Sequence, residues 1–167
     1  KALSKEQLKT LFECPASTFE QEKARDFWFF SFACNGMNIK DIALLRWENL
    51  QGDKIIFYRS KTLNTSRKNL KPVTVYLTDF SKMVLEKYGT NPRSPKNYIF
   101  NIISNEMSKE QQHITFKNFT RFINQNFKKL ANNAGVNENI STYWARHSFA
   151  TSAIRNGASM EFVSEAL

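Results

Sequence analysis

The chain has 167 residues and a formal charge of +9, because 24 lysines and arginines outnumber 15 aspartates and glutamates. Hydrophobic residues make up 41% of the sequence and 15 residues are phenylalanine, which excludes a disordered tail and indicates one compact domain. A positive surplus of this size favours a polyanionic partner such as nucleic acid, although many basic domains bind none. Cys14 and Cys34 have neither metal-ligand nor disulfide spacing, and a reducing cytoplasm is the default compartment.

The N-terminal part of the chain is predicted to be helical. A capping-box pattern opens a short helix at Ser4, and Thr18 opens a second helix that ends before Gly36. The apolar run in the second helix, residues 27–34, is too short to cross a membrane and indicates a buried segment. Asn38 is predicted to cap a short third helix.

The middle of the chain predicts a small antiparallel sheet. Residues 54–61 and 73–77 are rich in β-branched and aromatic side chains, so they read as the two strands of a hairpin. The long tip between the strands is basic and carries Lys61, Arg67, Lys68 and Lys71. Residues 98–100 predict a third short strand.

The remaining sequence predicts further helices. They cover about residues 79–88, 116–132 and 143–155, with a last helix from Met160 onward. No internal repeat or interior linker divides the chain. We therefore expect residues 1–167 to form a single α+β domain, mainly helical, with a small antiparallel sheet.

One stretch near the C-terminus carries the most specific signal. Residues 141–151, Ser-Thr-Tyr-Trp-Ala-Arg-His-Ser-Phe-Ala-Thr, resemble the second active-site motif of the tyrosine recombinases, or phage-type integrases. The usual form is His-x-x-Arg followed by His-Ser/Thr-Phe-Ala-Thr. The resemblance implies that Arg146 is the catalytic arginine, that Tyr143 takes the place of the histidine, and that His147 supports the pocket. The spacing of three places Tyr143 and Arg146 on one helix face.

A second stretch resembles the first motif of the same family. Residues 36–47 match Gly-Leu-Arg-x-x-Glu-Leu followed by Leu-x-Trp, with the family's first arginine falling on Asn38. An asparagine brings no charge, so we expect another cation to complete the site and name Arg25, on the preceding helix. The combination of Asn38 with Tyr143 resembles integrases from mobile elements of Bacteroides-type bacteria.

The resemblance also assigns a role to the basic tip of the hairpin. Lys61 matches the family's hairpin lysine, which is the general acid for the leaving 5′ oxygen. We expect Arg67, Lys68 and Lys71 to bind DNA. No Asp, Glu or His cluster has the spacing of a nuclease metal site, and the resemblance implies a mechanism with no metal and no other cofactor.

The resemblance implies site-specific recombination or integration at a double-stranded DNA attachment site, by strand cleavage through a 3′-phosphotyrosyl intermediate. The family's last histidine and nucleophilic tyrosine would follow Leu167, and its DNA-clamping domain would precede Lys1. We therefore expect the 167 residues alone to be inactive and the full-length protein to assemble into a homo-oligomer on DNA, in the bacterial cytoplasm with the nucleoid and away from membranes. The alternative is a non-catalytic DNA-binding module with a recombinase-like fold, which the changes at Asn38 and Tyr143 favour.

Overall fold

The computed structural model describes residues 1–65 and 68–167, and all structural statements below concern these two ranges. The helices are α1 (Lys5–Glu13), α2 (Phe19–Ala33), α3 (Ile39–Leu44), α4 (Ser60–Thr65), α5 (Asp79–Tyr88), α6 (Lys109–Asn133), α7 (Thr142–Arg155) and α8 (Met160–Ala166). The strands are β1 (Leu50–Gln51), β2 (Lys54–Phe57) and β3 (Val73–Tyr76). Within these ranges no helix is both long and apolar enough to span a membrane. The prediction of a mainly helical α+β domain with a small antiparallel sheet is confirmed.

The starts of the first three helices are set by the side chains that the sequence indicates. Ser4 accepts a hydrogen bond from the Gln7 amide at 3.1 Å, and the Gln7 side chain reaches back to the Ser4 amide. Thr18 accepts from the Gln21 amide at the start of α2, and Asn38 accepts from the Lys40 amide at the start of α3. Each cap satisfies an amide that the helix itself leaves without a partner. These three predictions are confirmed.

Helix α2 forms the centre of the domain. Its side chains Phe27, Trp28 and Phe30 are fully buried, and the helix packs against α5, α6 and α7. The Trp28 ring stacks on that of Phe127 in α6, with the ring centroids 4.8 Å apart. The indole nitrogen of Trp28 donates to the Ser141 carbonyl at 3.0 Å, directly before α7. The aromatic core therefore fixes the position at which α7 begins.

The sheet is antiparallel with strand order β1-β2-β3. Ile55 on β2 lies opposite Val75 on β3, and both side chains are buried on the face that joins the core. The prediction of a third strand at residues 98–100 is wrong, because that segment forms only isolated bridges. The third strand is β1, which pairs with β2 through a tight turn. Its two residues are too few to produce an alternating pattern in the sequence.

Two boundaries also differ from the prediction. Helix α6 begins at Lys109 rather than at Phe116, because Ser108 and Gln111 form a capping box. The hairpin connection is not a plain loop, since α4 occupies its first part. This helix starts where the Ser60 amide donates to the Asp41 carboxylate at 3.0 Å, a bond to α3 that local sequence does not reveal.

Candidate active site

The residues of the second motif lie along α7. The helix begins at Thr142, whose amide donates to the side-chain oxygen of Asn124 in α6 at 2.8 Å. Tyr143 and Arg146 both border a cavity of about 100 Å³ that Asn38 also lines. Tyr143 is largely exposed and Arg146 is half-buried. The structure thus brings the two motif residues to one face of α7, opposite the start of α3.

A glycine lets the two motifs meet. Gly36 has a φ of +69°, and a Cβ atom added to it would lie 2.9 Å from the Arg146 Cα atom. Real Cβ atoms do not approach a backbone carbon that closely, so any larger side chain would move Arg146 or the turn before α3. The first motif therefore holds the arginine of the second motif by direct contact.

The two residues after Arg146 have supporting contacts. The His147 ring packs edge-on against the Tyr143 ring, with centroids 4.4 Å apart. Ser148 is fully buried and accepts a hydrogen bond from the Leu3 amide at 3.0 Å. His147 thus orients Tyr143, and Ser148 ties α7 to the beginning of the chain.

An open, basic pocket of about 510 Å³ lies beside Arg146, between α3, α4 and α7. Its charged lining, among the residues that the structure describes, consists of one carboxylate, Asp41, and of the cations Lys40, Arg59, Lys61 and Arg146. Asn38 also lines it. Lys61 belongs to the first turn of α4 and is exposed. Because these cationic residues border one concave surface, the pocket suits an anion such as a phosphodiester.

The position of Arg59 was missed by the sequence analysis. The residue follows β2 and donates a hydrogen bond to the carbonyl oxygen of Glu165 in α8. Partial burial lowers the pKa of Arg59, the positive charge of Arg146 lowers it further, and Asp41 opposes both effects. A signal was present in the sequence, since Arg59 lies only two residues before Lys61.

Arg25, which we expect to complete the site, has its polar partners elsewhere in the fold. Its guanidinium donates to the Cys14 carbonyl at 2.6 Å, at the connection between α1 and α2. Its Nε atom lies 3.9 Å from the Asp26 carboxylate. With these partners, Arg25 lines neither cavity beside Arg146.

The model of the phage integrase family matches residues 1–167. The chain belongs to the phage integrase family. No curated protein sequence gives a match.

Solved structures of recombinases share the fold. The XerA recombinase superposes with a TM-score of 0.66 at 22% identity, over 100% of this chain and 54% of that protein. The Tn1549 transposon integrase, in complex with circular intermediate DNA, gives 0.64 at 12% identity, over 99% and 58%. The XerH site-specific recombinase, bound to its difH substrate before cleavage, gives 0.62 at 15% identity, over 99% and 46%. This chain therefore spans about half the length of these proteins.

Two lysines of the basic hairpin connection in this phage integrase domain lie among the described residues. Lys71 is exposed and lines an adjoining pocket of about 270 Å³ together with Arg59. Lys68 is exposed in the turn that precedes β3. Arg67, which we expect to bind DNA, lies outside the described residues. That Lys68 and Lys71 bind DNA stays a prediction.

The side chains of the phage integrase pocket do not form a metal-ligand set. Among the described residues, Asp41 is the one side-chain carboxylate that lines the pocket. One of the Asp41 oxygens already accepts a hydrogen bond from the Ser60 amide. In residues 1–65 and 68–167, no group of three His, Cys, Asp or Glu side chains is placed to hold a metal ion. The available donors are N–H groups of cations, which bind oxyanions.

Proposed function

We propose that the full-length protein is a site-specific tyrosine recombinase that integrates or excises DNA at an attachment site. The observation that carries the proposal is the meeting of Arg146 and Lys61 at one open basic pocket, in a chain of the phage integrase family. Residues 1–167 would be its catalytic domain. A separate clamping domain would precede them, and the nucleophilic tyrosine would follow Leu167.

The pocket offers what phosphodiester cleavage needs. Attack on the phosphorus builds a crowded centre with more negative charge, so cationic donors must surround the non-bridging oxygens. The planar fork of Arg146 donates two parallel hydrogen bonds to such oxygens and stays charged. Lys61, on a mobile side chain at the edge of the pocket, gives a proton to the departing 5′ oxygen.

The covalent step is balanced without a cofactor. The tyrosine oxygen forms a bond to phosphorus while the bond from phosphorus to the 5′ oxygen breaks. The phenolic proton leaves to the surrounding water, and the 5′ oxygen takes its proton from Lys61. The 5′ hydroxyl of a second strand then attacks the phosphotyrosyl link and releases the tyrosine. Because the link keeps the bond energy, rejoining needs no ATP.

Double-stranded DNA is the expected partner. Two proteins of the same fold are described with DNA, the Tn1549 integrase with a circular intermediate and XerH with its difH substrate. The charge of +9 supplies a non-specific attraction that arises from counterion release. Residues 1–167 alone should therefore bind duplex DNA weakly, with affinity falling by about 10-fold or more between about 50 and 200 mM salt. Fluorescence anisotropy measures this, and a salt-independent signal would contradict it.

The decisive test uses the full-length protein and a nicked attachment-site duplex, in which the nick traps the covalent intermediate. We expect a protein–DNA adduct that survives SDS. Arg146→Ala should reduce adduct formation by about 100-fold or more while DNA binding persists. Arg93→Ala is the control, because Arg93 pairs with Glu86 at the surface and does not line the pocket. If the unaltered protein binds this DNA tightly but forms no adduct, the proposal is contradicted.

That same outcome would establish the second candidate, a DNA-binding module with no catalysis. One observation favours it: the Asn38 oxygen is engaged as the cap of α3, accepting from the Lys40 amide at 2.9 Å. This leaves only the neutral Nδ2 group of Asn38 to donate to a phosphate, and it brings no positive charge. The two candidate functions therefore make opposite predictions for the SDS-resistant adduct: the recombinase forms it and the DNA-binding module does not.

A further inference from the structure

Helix α7, which carries Tyr143 and Arg146, begins without a cap from its own sequence. Ser141 occupies the capping position, but its side chain makes no capping hydrogen bond among the described residues. The amides of a first helical turn have no partner inside the helix, so they need one from outside. Helix α6 supplies it, because the Thr142 amide donates to the Oδ1 atom of Asn124 at 2.8 Å. The start of α7 therefore depends on a side chain of another helix.

The bond to Asn124 completes the fixing of one peptide group. The carbonyl of Ser141 and the amide of Thr142 belong to the same planar peptide unit. Trp28 in α2 donates to this carbonyl at 3.0 Å, and Asn124 in α6 accepts from this amide. A rigid plane that is held at both of its polar groups cannot rotate without breaking one of the two bonds. Together the bonds fix the direction in which α7 begins.

The direction of α7 sets the alignment of the two motif residues. Tyr143 follows the held peptide directly, and Arg146 lies one turn further along the helix. Both residues line the cavity of about 100 Å³ at the start of α3. Without the bond to Asn124 the first turn of α7 would fray, and both side chains would lose their alignment. A displacement near 1 Å is enough to slow a reaction by about 100-fold.

The Asn124 side chain also lines an open groove of about 580 Å³ between α3 and α6. Among the described residues, the groove lining includes the cations Lys40, Lys117 and Arg121 and no carboxylate. The groove adjoins the basic pocket of about 510 Å³, because Asn38 and Lys40 line both. An anionic chain that enters the pocket is therefore attracted into the groove as well.

The charge of the groove accounts for an asparagine as the cap. Aspartate, asparagine, serine and threonine all accept hydrogen bonds at helix starts, and a carboxylate is further favoured by the positive end of the helix dipole. In this groove, however, a carboxylate would repel a bound polyanion. The neutral Oδ1 atom of Asn124 accepts from the Thr142 amide without that repulsion.

We propose that Asn124 is a positioning residue for DNA cleavage, which acts as a neutral cap on α7 and aligns Tyr143 and Arg146 from within a groove that DNA occupies. The inference rests on the proposed recombinase function. Asn124 lies outside both motifs and touches no reacting atom. It acts through the peptide group that begins α7, so its loss changes the rate of cleavage rather than the affinity for DNA.

The test measures affinity and rate separately in the full-length protein. Fluorescence anisotropy with the attachment-site duplex gives the dissociation constant, and adduct formation on saturating nicked duplex gives the cleavage rate. Asn124→Ala removes the cap and adds no charge, so cleavage should slow by about 10- to 100-fold while the dissociation constant changes by less than about 3-fold.

Asn124→Asp should show the reverse pattern, because it keeps an acceptor for the Thr142 amide and adds a negative charge to the groove. Its cleavage rate at saturating DNA should lie within about 3-fold of the unaltered rate. Its dissociation constant should rise by about 3- to 10-fold at about 50 mM salt, and by less at higher salt. Asn126→Ala is the matched control, since the Asn126 side chain donates to the Phe122 carbonyl within α6 at 2.9 Å.

Three results would overturn the inference. The first is cleavage by Asn124→Ala at the unaltered rate. The second is equal slowing of cleavage by Asn124→Ala and Asn124→Asp, which would mean that the bond to the Thr142 amide does not determine the rate. The third is an unchanged affinity of Asn124→Asp at low salt, which would mean that DNA does not occupy the groove.

Thermal melts identify a variant that fails to fold. If Asn124→Ala fails to fold, Asn124→Asp decides, because slow cleavage by this variant at saturating DNA overturns the inference. Absence of an adduct from the unaltered protein would instead refute the recombinase function itself.

Discussion

Replacement of Gly36 by alanine tests the contact between the two motifs. The new methyl group would lie 2.9 Å from the Arg146 Cα atom and 3.2 Å from its Cγ atom. The φ of +69° adds a second penalty, because L-residues with a side chain rarely adopt it. The nearest obstacle is the main chain of α7, which the core holds through the Trp28 bond to Ser141. The strain cannot be relieved by turning a flexible side chain.

The two penalties can be estimated separately. The left-handed conformation costs about 1–2 kcal/mol for a residue with a Cβ atom. Overpacking against a fixed backbone costs about 1–3 kcal/mol more. We therefore expect Gly36→Ala to lower the free energy of unfolding by about 2–5 kcal/mol, a large share of the roughly 5–15 kcal/mol typical of a domain. Any remaining folded protein would hold Arg146 displaced, which reduces cleavage by about 100-fold for a shift near 1 Å.

Urea denaturation of Gly36→Ala and Gly135→Ala separates the two effects. Gly135 has a similar φ of +78°, but an added Cβ there would meet nothing within 4 Å. Gly135→Ala should therefore show the conformational cost of about 1–2 kcal/mol alone. Equal destabilisation by the two substitutions would refute the contact between Gly36 and Arg146 as a constraint on the site.

Three further predictions concern buried polar groups. Asp26→Ala should lower the free energy of unfolding, measured in urea, by about 3 kcal/mol. The substitution removes the carboxylate that accepts from the Lys87 ammonium at 2.8 Å and from the Tyr88 hydroxyl at 2.7 Å. A change under about 1 kcal/mol would contradict this prediction. Burial, then the bond to Asp26, raises the pKa of Tyr88, so the folded state keeps the phenol proton more tightly than the unfolded state. The free energy of unfolding should therefore be constant as pH rises to about 10 and should fall above that pH. The fall should be smaller in Tyr88→Phe, which has no phenol proton to lose. Burial raises the pKa of the Cys34 thiol to about 12, and Ellman's reagent at about pH 8 should modify Cys34 only as fast as the protein unfolds.

The sequence predicted the parts of the site that depend on local pattern. The spacing of Tyr143 and Arg146 places both on one helix face, and the structure has both beside one cavity. The cap at Asn38 follows from residue type and is confirmed. The roles of these residues in catalysis stay predictions, as does that of Lys61.

Long-range contacts are what the sequence could not reveal. Arg25 and Arg59 have the same residue type, and each is next to a polar neighbour in the chain. The Cys14 carbonyl holds one of them away from the pocket, while the bond between Ser60 and Asp41 brings the other to it. Both outcomes depend on how helices pack, and neither bond lies within the reach of a motif. The strand β1 was missed for a related reason, because pairing with β2 defines it.

The hydrogen bond between the Leu3 amide and Ser148 joins positions that are 145 residues apart in sequence. Leu3 is buried, and Ser148 lies two residues beyond Arg146 on the same helix. In mechanical terms, this bond connects the first residues of the chain directly to α7, the helix that carries Arg146. A pull on the N-terminal end reaches Arg146 through one bond and a short length of rigid helix, bypassing the sheet and α6. A displacement of Leu3 would therefore act first on the helix that carries the Arg146 guanidinium.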